Sequence, residues 1–264
     1  VSSARGMAPG TRMRESSRRE YHVDLHIHTV LSACAEVEMI PPLIVEEALQ
    51  KGLHVIAITD HNATGNVAAV MEAATETGLV VLPGMELLTQ EEVDVLCIFD
   101  TLEQTRAWQA QVDGWLLPLD NDAEHFGPQF LVDATGDFVA EDTRMRKAPA
   151  KVGIEKAARV VHTLGGLVIP AHVERDVYGL LYVLGFWPPD LEADAAEVSH
   201  NLRPSQAYAQ YLSLKDIPII TSSDAHFLDW IGNTRTVFWL DETPSVESLR
   251  AALRLGAGQG FYVP

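Results

Sequence analysis

Two histidines stand two residues apart at His26-Ile27-His28, and four other stretches set a histidine or a carboxylate at the end of an apolar run. They are Thr59-Asp60-His61, Pro83-Gly84-Met85-Glu86, Pro170-Ala171-His172 and Ser222-Ser223-Asp224-Ala225-His226. Imidazole nitrogens and carboxylate oxygens are common ligands of divalent first-row metals. Each stretch alone is weak, since a single His-x-His is often a chance of surface or core. Five together are hard to explain by stability, because a buried charge is costly unless paired or metal-bound. If residues 24–28 form a strand, its period of two puts Asp24, His26 and His28 on one face. The set predicts a centre for divalent ions, with mixed donors that suit Zn, Mn or Fe(II) alike.

Such residues must be brought together by the elements that carry them. The pattern alternates strand and helix: strand 23–27, helix 42–51 with proline in its first turn, and buried strand 53–59. Helix 62–77, strands 79–82 and 93–99, and helix 102–115 follow. Residues 117–147 break the rhythm, being rich in Pro, Gly and Asp, with a hairpin over 129–139 turning at Thr135-Gly136-Asp137. This stretch reads as an insertion over one face. The alternation resumes with helix 153–164, strand 167–171, short helix 178–184, strand 195–199, helix 205–214, strand 218–222, strand 236–240 and helix 245–255. Repeated βα units with nearly continuous apolar strands predict a parallel sheet covered by helices. Roughly seven units in about 240 residues fit a (β/α) barrel, whose active sites gather at the carboxyl ends of the strands. The histidine and carboxylate stretches fall at those ends.

The chain has 264 residues, 47% of them hydrophobic, enough for a sizeable core. Its formal net charge of −18 repels a phosphate backbone at long range, so no long nucleic acid is expected as partner. A small anion remains compatible, because bound cations invert the local field. Two cysteines, Cys34 and Cys97, do not form a disulfide framework and suggest a reducing, cytoplasmic setting. No apolar run reaches the length of a membrane span, so no membrane partner is expected. Residues 1–20 carry Arg5, Arg12, Arg14, Arg18 and Arg19 without an apolar period and read as a disordered basic tail before a domain over 21–264.

In order and spacing the five stretches resemble the PHP (polymerase and histidinol phosphatase) domain family, whose pattern runs HxH, TDH, a Glu after a Gly turn, an AHP-like motif and SDxH. The resemblance covers about Tyr21 to the end. It looks closest to a bacterial subgroup marked by Leu31-Ser32-Ala33-Cys34, Met39-Ile40-Pro41, Glu91-Glu92 and Ala171-His172-Val173-Glu174-Arg175-Asp176. It implies an α/β fold, a distorted TIM-like (β/α)7 barrel, with two or three divalent ions. One ion would take His26, His28, Glu86 and Asp224. A second would share Glu86 and take His172. A third would take His61 and His226, with a ligand from the loop after His28. Two departures stand out. Relatives carry a histidine where this chain has Asp94, which could ligate through oxygen; the ligand could also be lost, or replaced by His125 from the insertion. The loop after the first motif offers Cys34, Glu36 and Glu38 in place of the family's acid or histidine.

The implied activity is metal-dependent hydrolysis of a phosphomonoester or phosphodiester of a small metabolite, nucleotide or short oligonucleotide, with water acidified by the cations as nucleophile. Asp60 would orient a ligand or assist proton transfer, or simply hydrogen-bond to its neighbours. Arg175 would clamp a phosphate bidentately, or pair with Glu174 or Asp176. Two other classes stay open: hydrolysis of another bond, and a non-catalytic metal-binding regulator, for which Asp94 is the best support. His22, His54, His162 and His200 read as surface or core residues, the 144–147 basic run as a solvated loop, and Trp187-Pro188-Pro189 as a packed turn. Cys34 reads as structural rather than nucleophilic, since no base is obviously paired with it.

Overall fold

The computed structural model describes residues 18–264. Most of the expected basic tail, residues 1–17, lies outside the described residues. Its last two residues do not belong to a tail: Arg19 and Glu20 open β1 (Arg19–Ile27) and pair with Leu240 and Trp239. After β1 the chain forms α1 (Pro41–Gln50), β2 (Val55–Ile58), α2 (Val67–Ala73), β3 (Val80–Leu88), β4 (Asp94–Ile98) and α3 (Leu102–Trp115). The insertion contributes α4 (Ala123–Phe126) and a hairpin of β5 (Phe130–Val132) and β6 (Phe138–Glu141). Then come α5 (Ile154–Thr163), β7 (Leu167–Pro170), α6 (Leu180–Leu184), β8 (Ala196–Glu197), α7 (Pro204–Gln210), β9 (Ile219–Ile220), β10 (Thr236–Leu240), α8 (Val246–Leu255) and β11 (Phe261–Tyr262).

A seven-stranded sheet runs β11-β10-β1-β2-β3-β4-β7 and curls on itself. Beyond β7 the wall continues through the β8–β9 pair: Asp194 N donates to Val168 O at 2.8 Å, and Val173 N to Glu197 O at 2.9 Å. A bridge between Ala225 and Ile27 returns the wall to β1. The staves β1, β2, β3, β4, β7, β8 and β9 therefore make a distorted TIM-like barrel, while β10 and β11 extend outward from the first half of β1.

The sheet is not all parallel, as the alternation led one to expect. β4 runs antiparallel to both β3 and β7. The reason is the connection: β3 and β4 are joined by a tight turn in which Thr89 N and Val93 O bond at 3.0 Å, far too short for a parallel crossover. The reversal brings the start of β4, Asp94, to the mouth where β3 ends. β3 also runs past the expected 79–82, through Pro83-Gly84 to Leu88. Gly84 is needed there, since a Cβ would lie 3.1 Å from Ile58 O and 3.2 Å from Cys97 O. The expected helix 62–77 shrinks to α2, with Asn62 (φ 49) before it and Glu76 (φ 67) after it in the left-handed region, where a helix does not run.

Leu96, Ile98 and Ile169 pack with Val55 and Ala57 in one core cluster. Ile56 and Ile58 pack with buried residues of α1 and α2 in another, and Val95 and Cys97 with those of α3 and α5 in a third. The insertion is tied to the loops after β1 and β2: Asn66 donates to Phe130 O and accepts from Val132 N, and Phe130 N donates to Val30 O. Among the described residues no helix is long and apolar enough to cross a membrane.

Candidate metal centre

A β-bulge sets up the site. Between Asp24 and Ile27 the register of β1 against β2 shifts, three steps on β1 matching two on β2. An extra residue reverses the facing of everything beyond it. His26 and His28 therefore turn into the barrel, whereas Asp24 does not join them, contrary to the period-two expectation. Its carboxylate accepts instead from Ser223 N and Gly232 N, both at 2.9 Å, fixing the strand-end loop that bears Asp224. Burial lifts Asp24 to a pKa of about 6 despite those bonds.

His26 Nε2 lies 3.1 Å from Glu86 Oε1, 3.3 Å from Asp224 Oδ1 and 3.1 Å from His28 Nε2. His28 Nε2 is 3.3 Å from the same Asp224 oxygen. His172 Nε2 approaches Glu86 Oε1 at 3.3 Å and Asp94 Oδ2 at 3.7 Å. His61 Nδ1 is 2.8 Å from Glu86 Oε2, and the His226 ring stacks on His28 with centroids 4.0 Å apart. Three donor groups converge tightly enough to share cations: His26/His28/Glu86, His61/Glu86/Asp94 and His28/His61/His226. Glu86 is the hub, 1% exposed at the centre of the mouth. His172 and Asp224 hold left-handed backbone, φ 29 and φ 51, a strained state that non-glycine residues keep mainly at functional sites.

The tautomers show what the cluster is suited to hold. Ser32 Oγ donates its one proton to Asp60 Oδ1 at 2.6 Å, so it accepts from His28 Nδ1 at 2.9 Å. Glu197 Oε1 can only accept, so His26 Nδ1 donates to it at 3.0 Å. Both rings thus carry their proton on Nδ1 and aim Nε2 lone pairs at each other and at two carboxylates. Lone pairs facing at 3.1 Å repel unless a cation lies between them. The donor set fits divalent metal, held by Nε2 of His26 and His28 with Glu86 and Asp224.

The titration directions show how strongly these groups act on one another. Burial pulls His26 down, but Glu86, Asp224 and Glu197 outweigh it and hold it well above the ordinary histidine range. Burial and the neighbouring His226 and His61 push His28 well below it. Glu86 and Asp224 sit well below the usual carboxylate range, since the surrounding imidazoles overcome their burial. Asp94 rises to about 7 through burial and the charge of Glu86.

The structure brings His26, His28, His61, Glu86, Asp94, His172, Asp224 and His226 to one mouth. Asp94, at the histidine position of the resemblance, faces His172, while His125 is exposed on α4 in the insertion. Asp60 does not reach the cluster. It accepts from Thr29 N (2.7 Å), Thr29 Oγ1 (2.7 Å) and Ser32 Oγ (2.6 Å), which places it behind Ser32 as the anchor of the His28 tautomer. Arg175 pairs with neither Glu174 nor Asp176: its guanidinium meets Asp224 Oδ2 at 2.6 Å, and Glu174 accepts from Ser199 N. Cys34, read from sequence as lacking a partner, sits 3.3 Å from His61 Nε2. Hydrogen bonds from His226 and His61 overcome burial and bring its thiol down to about 5. In the basic run, Arg144 and Arg146 both pair with Asp113, which ties the insertion to α3.

Glu197 escaped the sequence reading. It is 1% exposed, holds His26 and accepts from His172 N at 3.2 Å, and its Oε2 has no partner among the described residues. A lone carboxylate inside the apolar run Ala195-Ala196-Glu197-Val198 was the signal available.

The PHP domain pattern matches residues 24–174, and a PHP-associated region matches 205–257. The chain belongs to the PHP domain family. Among solved structures, this PHP domain is similar to the lesion-specific endonuclease Q of Pyrococcus furiosus at 20% identity and TM-score 0.66, over 93% of this chain and 58% of that one. An endonuclease Q complex with a 27-mer duplex bearing an abasic lesion at the active site gives TM-score 0.70 at 19% identity, again over 93% of this chain and 58% of that chain. A protein proposed to be a metal-dependent phosphoesterase, from Bifidobacterium adolescentis, gives 0.54 at 20% identity, covering 89% of this chain and 96% of that one. The chain thus spans less than two thirds of the endonuclease Q chains it resembles. A search of curated proteins gives no match.

Proposed function

We propose that this PHP domain is a metal-dependent phosphoesterase that hydrolyses a phosphomonoester or phosphodiester of a small metabolite, nucleotide or short oligonucleotide. The observation that supports this most is the convergence of five imidazoles and three carboxylates, with lone pairs held inward, at one barrel mouth. Divalent ions bound there act as Lewis acids on phosphoryl oxygen and make water a nucleophile near neutral pH. The chain's own residues do the rest. Glu197 and the Asp60–Ser32 pair keep protons on Nδ1 of His26 and His28, so their ligand nitrogens stay free. Arg175 stands at the rim with a side chain 32% exposed, and one N–H on Asp224 leaves further donors for a phosphate. A cavity of about 240 Å³ lined by His200, Ser223, Trp230, Asn233 and Thr234 includes the chain neighbour of Asp224, and we assign it to the organic part of the ester.

The test is hydrolysis of p-nitrophenyl phosphate and bis-p-nitrophenyl phosphate with Mn or Zn, repeated with Asp224→Ala and His26→Ala. Activity that both substitutions abolish is expected. Metal-replete protein inert to every phosphate probe would turn the reading toward a regulator.

The likeness to endonuclease Q, one structure of which holds duplex DNA, favours a second reading: nicking of a damaged duplex. The net charge of −18 opposes it by long-range repulsion. Cleavage of an abasic-site duplex at low salt decides between the two.

A further inference from the structure

We infer that Asn62 is a positioning residue that couples the segment leading out of the insertion, residues 142–148, to the metal centre. This rests on the metal-centre reading above and adds no ligand to it. Asn62 follows His61 directly, is fully buried and turns the chain at φ 49. Up to that turn the parallel ladder of β2 and β3 continues past the end of β2. Glu86 N donates to Asp60 O at 3.2 Å, and Asn62 N donates to Glu86 O at 2.8 Å. The next rung would be Leu88 N on the carbonyl of Asn62, but the left-handed turn carries that carbonyl away. The side chain fills the rung instead, and Leu88 N donates to Asn62 Oδ1 at 2.9 Å. His61 and Glu86, both members of the cluster, are thereby held side by side as a bridge.

The rest of Asn62 belongs to the insertion and α3. Its Nδ2 donates to Arg146 O at 2.6 Å and to Ala148 O at 3.0 Å. Its displaced carbonyl accepts from Arg146 Nη1 at 3.3 Å and from Gln109 Nε2 at 3.2 Å. Asparagine suits all these demands, since it tolerates left-handed backbone and its amide carries an acceptor and two donors. Aspartate would set an oxygen against two carbonyls. The segment also has a brace of its own. Gln129 is 1% exposed; its Nε2 donates to Asp142 O at 2.7 Å and Arg144 O at 2.6 Å, and its Oε1 accepts from Arg146 N at 3.2 Å. Among the described residues none of these bonds reaches the cluster, so Gln129 sets where Arg146 stands without acting on the metal centre directly. The coupling runs both ways. An ion that pins His61 and Glu86 steadies residues 142–148, and the segment in place raises affinity for that ion by the same factor.

The experiment measures zinc affinity of the full chain against a competing chelator, and amide hydrogen exchange with and without zinc. In wild type, zinc should slow exchange at Met145 and Arg146, whose amides fasten the segment to Leu119 O and Gln129 Oε1. Asn62→Gly keeps the left-handed turn and adds no charge. It should lower zinc affinity roughly 10–100-fold and abolish the effect of zinc on those two amides. Gln129→Leu should lower zinc affinity as well, and the double variant should lose no more than the larger single loss, as for two residues acting along one route. Should Asn62→Gly not fold, Gln129→Leu with the exchange measurement carries the test. Wild-type zinc affinity in Gln129→Leu, additive losses in the double variant, or exchange at Met145 and Arg146 indifferent to zinc overturns the inference and leaves the metal centre standing. Failure of the wild type to bind zinc overturns both.

Discussion

Glu197→Gln isolates what a single buried charge does for the metal centre. The substitution keeps size and one acceptor oxygen but removes the negative charge behind His26 and His172. Glu197 accepts from His26 Nδ1 at 3.0 Å and from His172 N at 3.2 Å. A hydrogen bond to a charged group contributes about 1.5–3 kcal/mol against about 0.5–1.5 for a neutral pair, so each bond weakens by roughly 1 kcal/mol. Loss of such support behind a ligating histidine costs roughly 10–100-fold in metal affinity, about 1.4–2.7 kcal/mol, the range the two bonds together give. The assay is metal titration against a competing chelator, paired with melting curves. At saturating metal that loss passes directly into stability, and the metal-induced rise in Tm shrinks by roughly 3–10 °C for a chain of this size. Without metal the melt falls by less, since the same two bonds are weakened but no ion then polarises the His26 ring. Wild-type metal affinity in Glu197→Gln would refute the argument that a carboxylate sets the His26 tautomer. An equal Tm drop with and without metal would instead make Glu197 a packing residue.

Three further outcomes follow from named contacts. Arg175→Lys keeps the charge but loses the fork geometry, so kcat/KM for phosphate esters falls about 10–100-fold; stability should change by less than about 1 kcal/mol, as the pair is partly exposed, and steady-state kinetics with a melt checks both. Trp230→Ala removes a half-exposed ring from the cavity assigned to the organic part of the ester, so KM for nucleotide esters rises roughly tenfold, while that for glycerol phosphate stays put. Asp194→Ala strips the partners of His162 (3.0 Å), Arg250 (2.8 Å) and Val168 N (2.9 Å) and should destabilise by about 1–3 kcal/mol at pH 7. Burial raises the Asp194 pKa, but these partners outweigh it and hold it below the ordinary value, so its contribution is present above that value and lost as pH falls through the depressed one; wild type and variant should therefore converge in acid denaturation, and a gap that persists there refutes the assignment.

Much of the scaffold was legible locally. Helix 102–115 was read from the chain, and the structure adds that a Thr101–Gln104 capping box, a property of four neighbouring residues, opens it. So could strand 236–240 and the hairpin turning at Gly136, since apolar runs and turn residues act over a few positions. The histidines and carboxylates at strand ends were visible for the same reason, and their types alone announced metal chemistry. Strand direction was not legible: β4 looks like any buried strand, and only the short turn at Thr89–Val93 forces it antiparallel and delivers Asp94 to the mouth.

Facing and partnership were decided by the tertiary fold. One extra residue in β1 turned Asp24 away from His26 and His28, and a bulge exists only relative to the neighbouring strand. Asp60 became the anchor of Ser32, Arg175 the partner of Asp224, Glu197 the brace of His26 and Cys34 the neighbour of His61, pairs separated by up to 171 positions. Residue type fixes what a side chain can donate or accept, and that is written in the chain. Which lone pair meets which proton depends on the closure of the barrel, which brings β8 and β9 back beside β1.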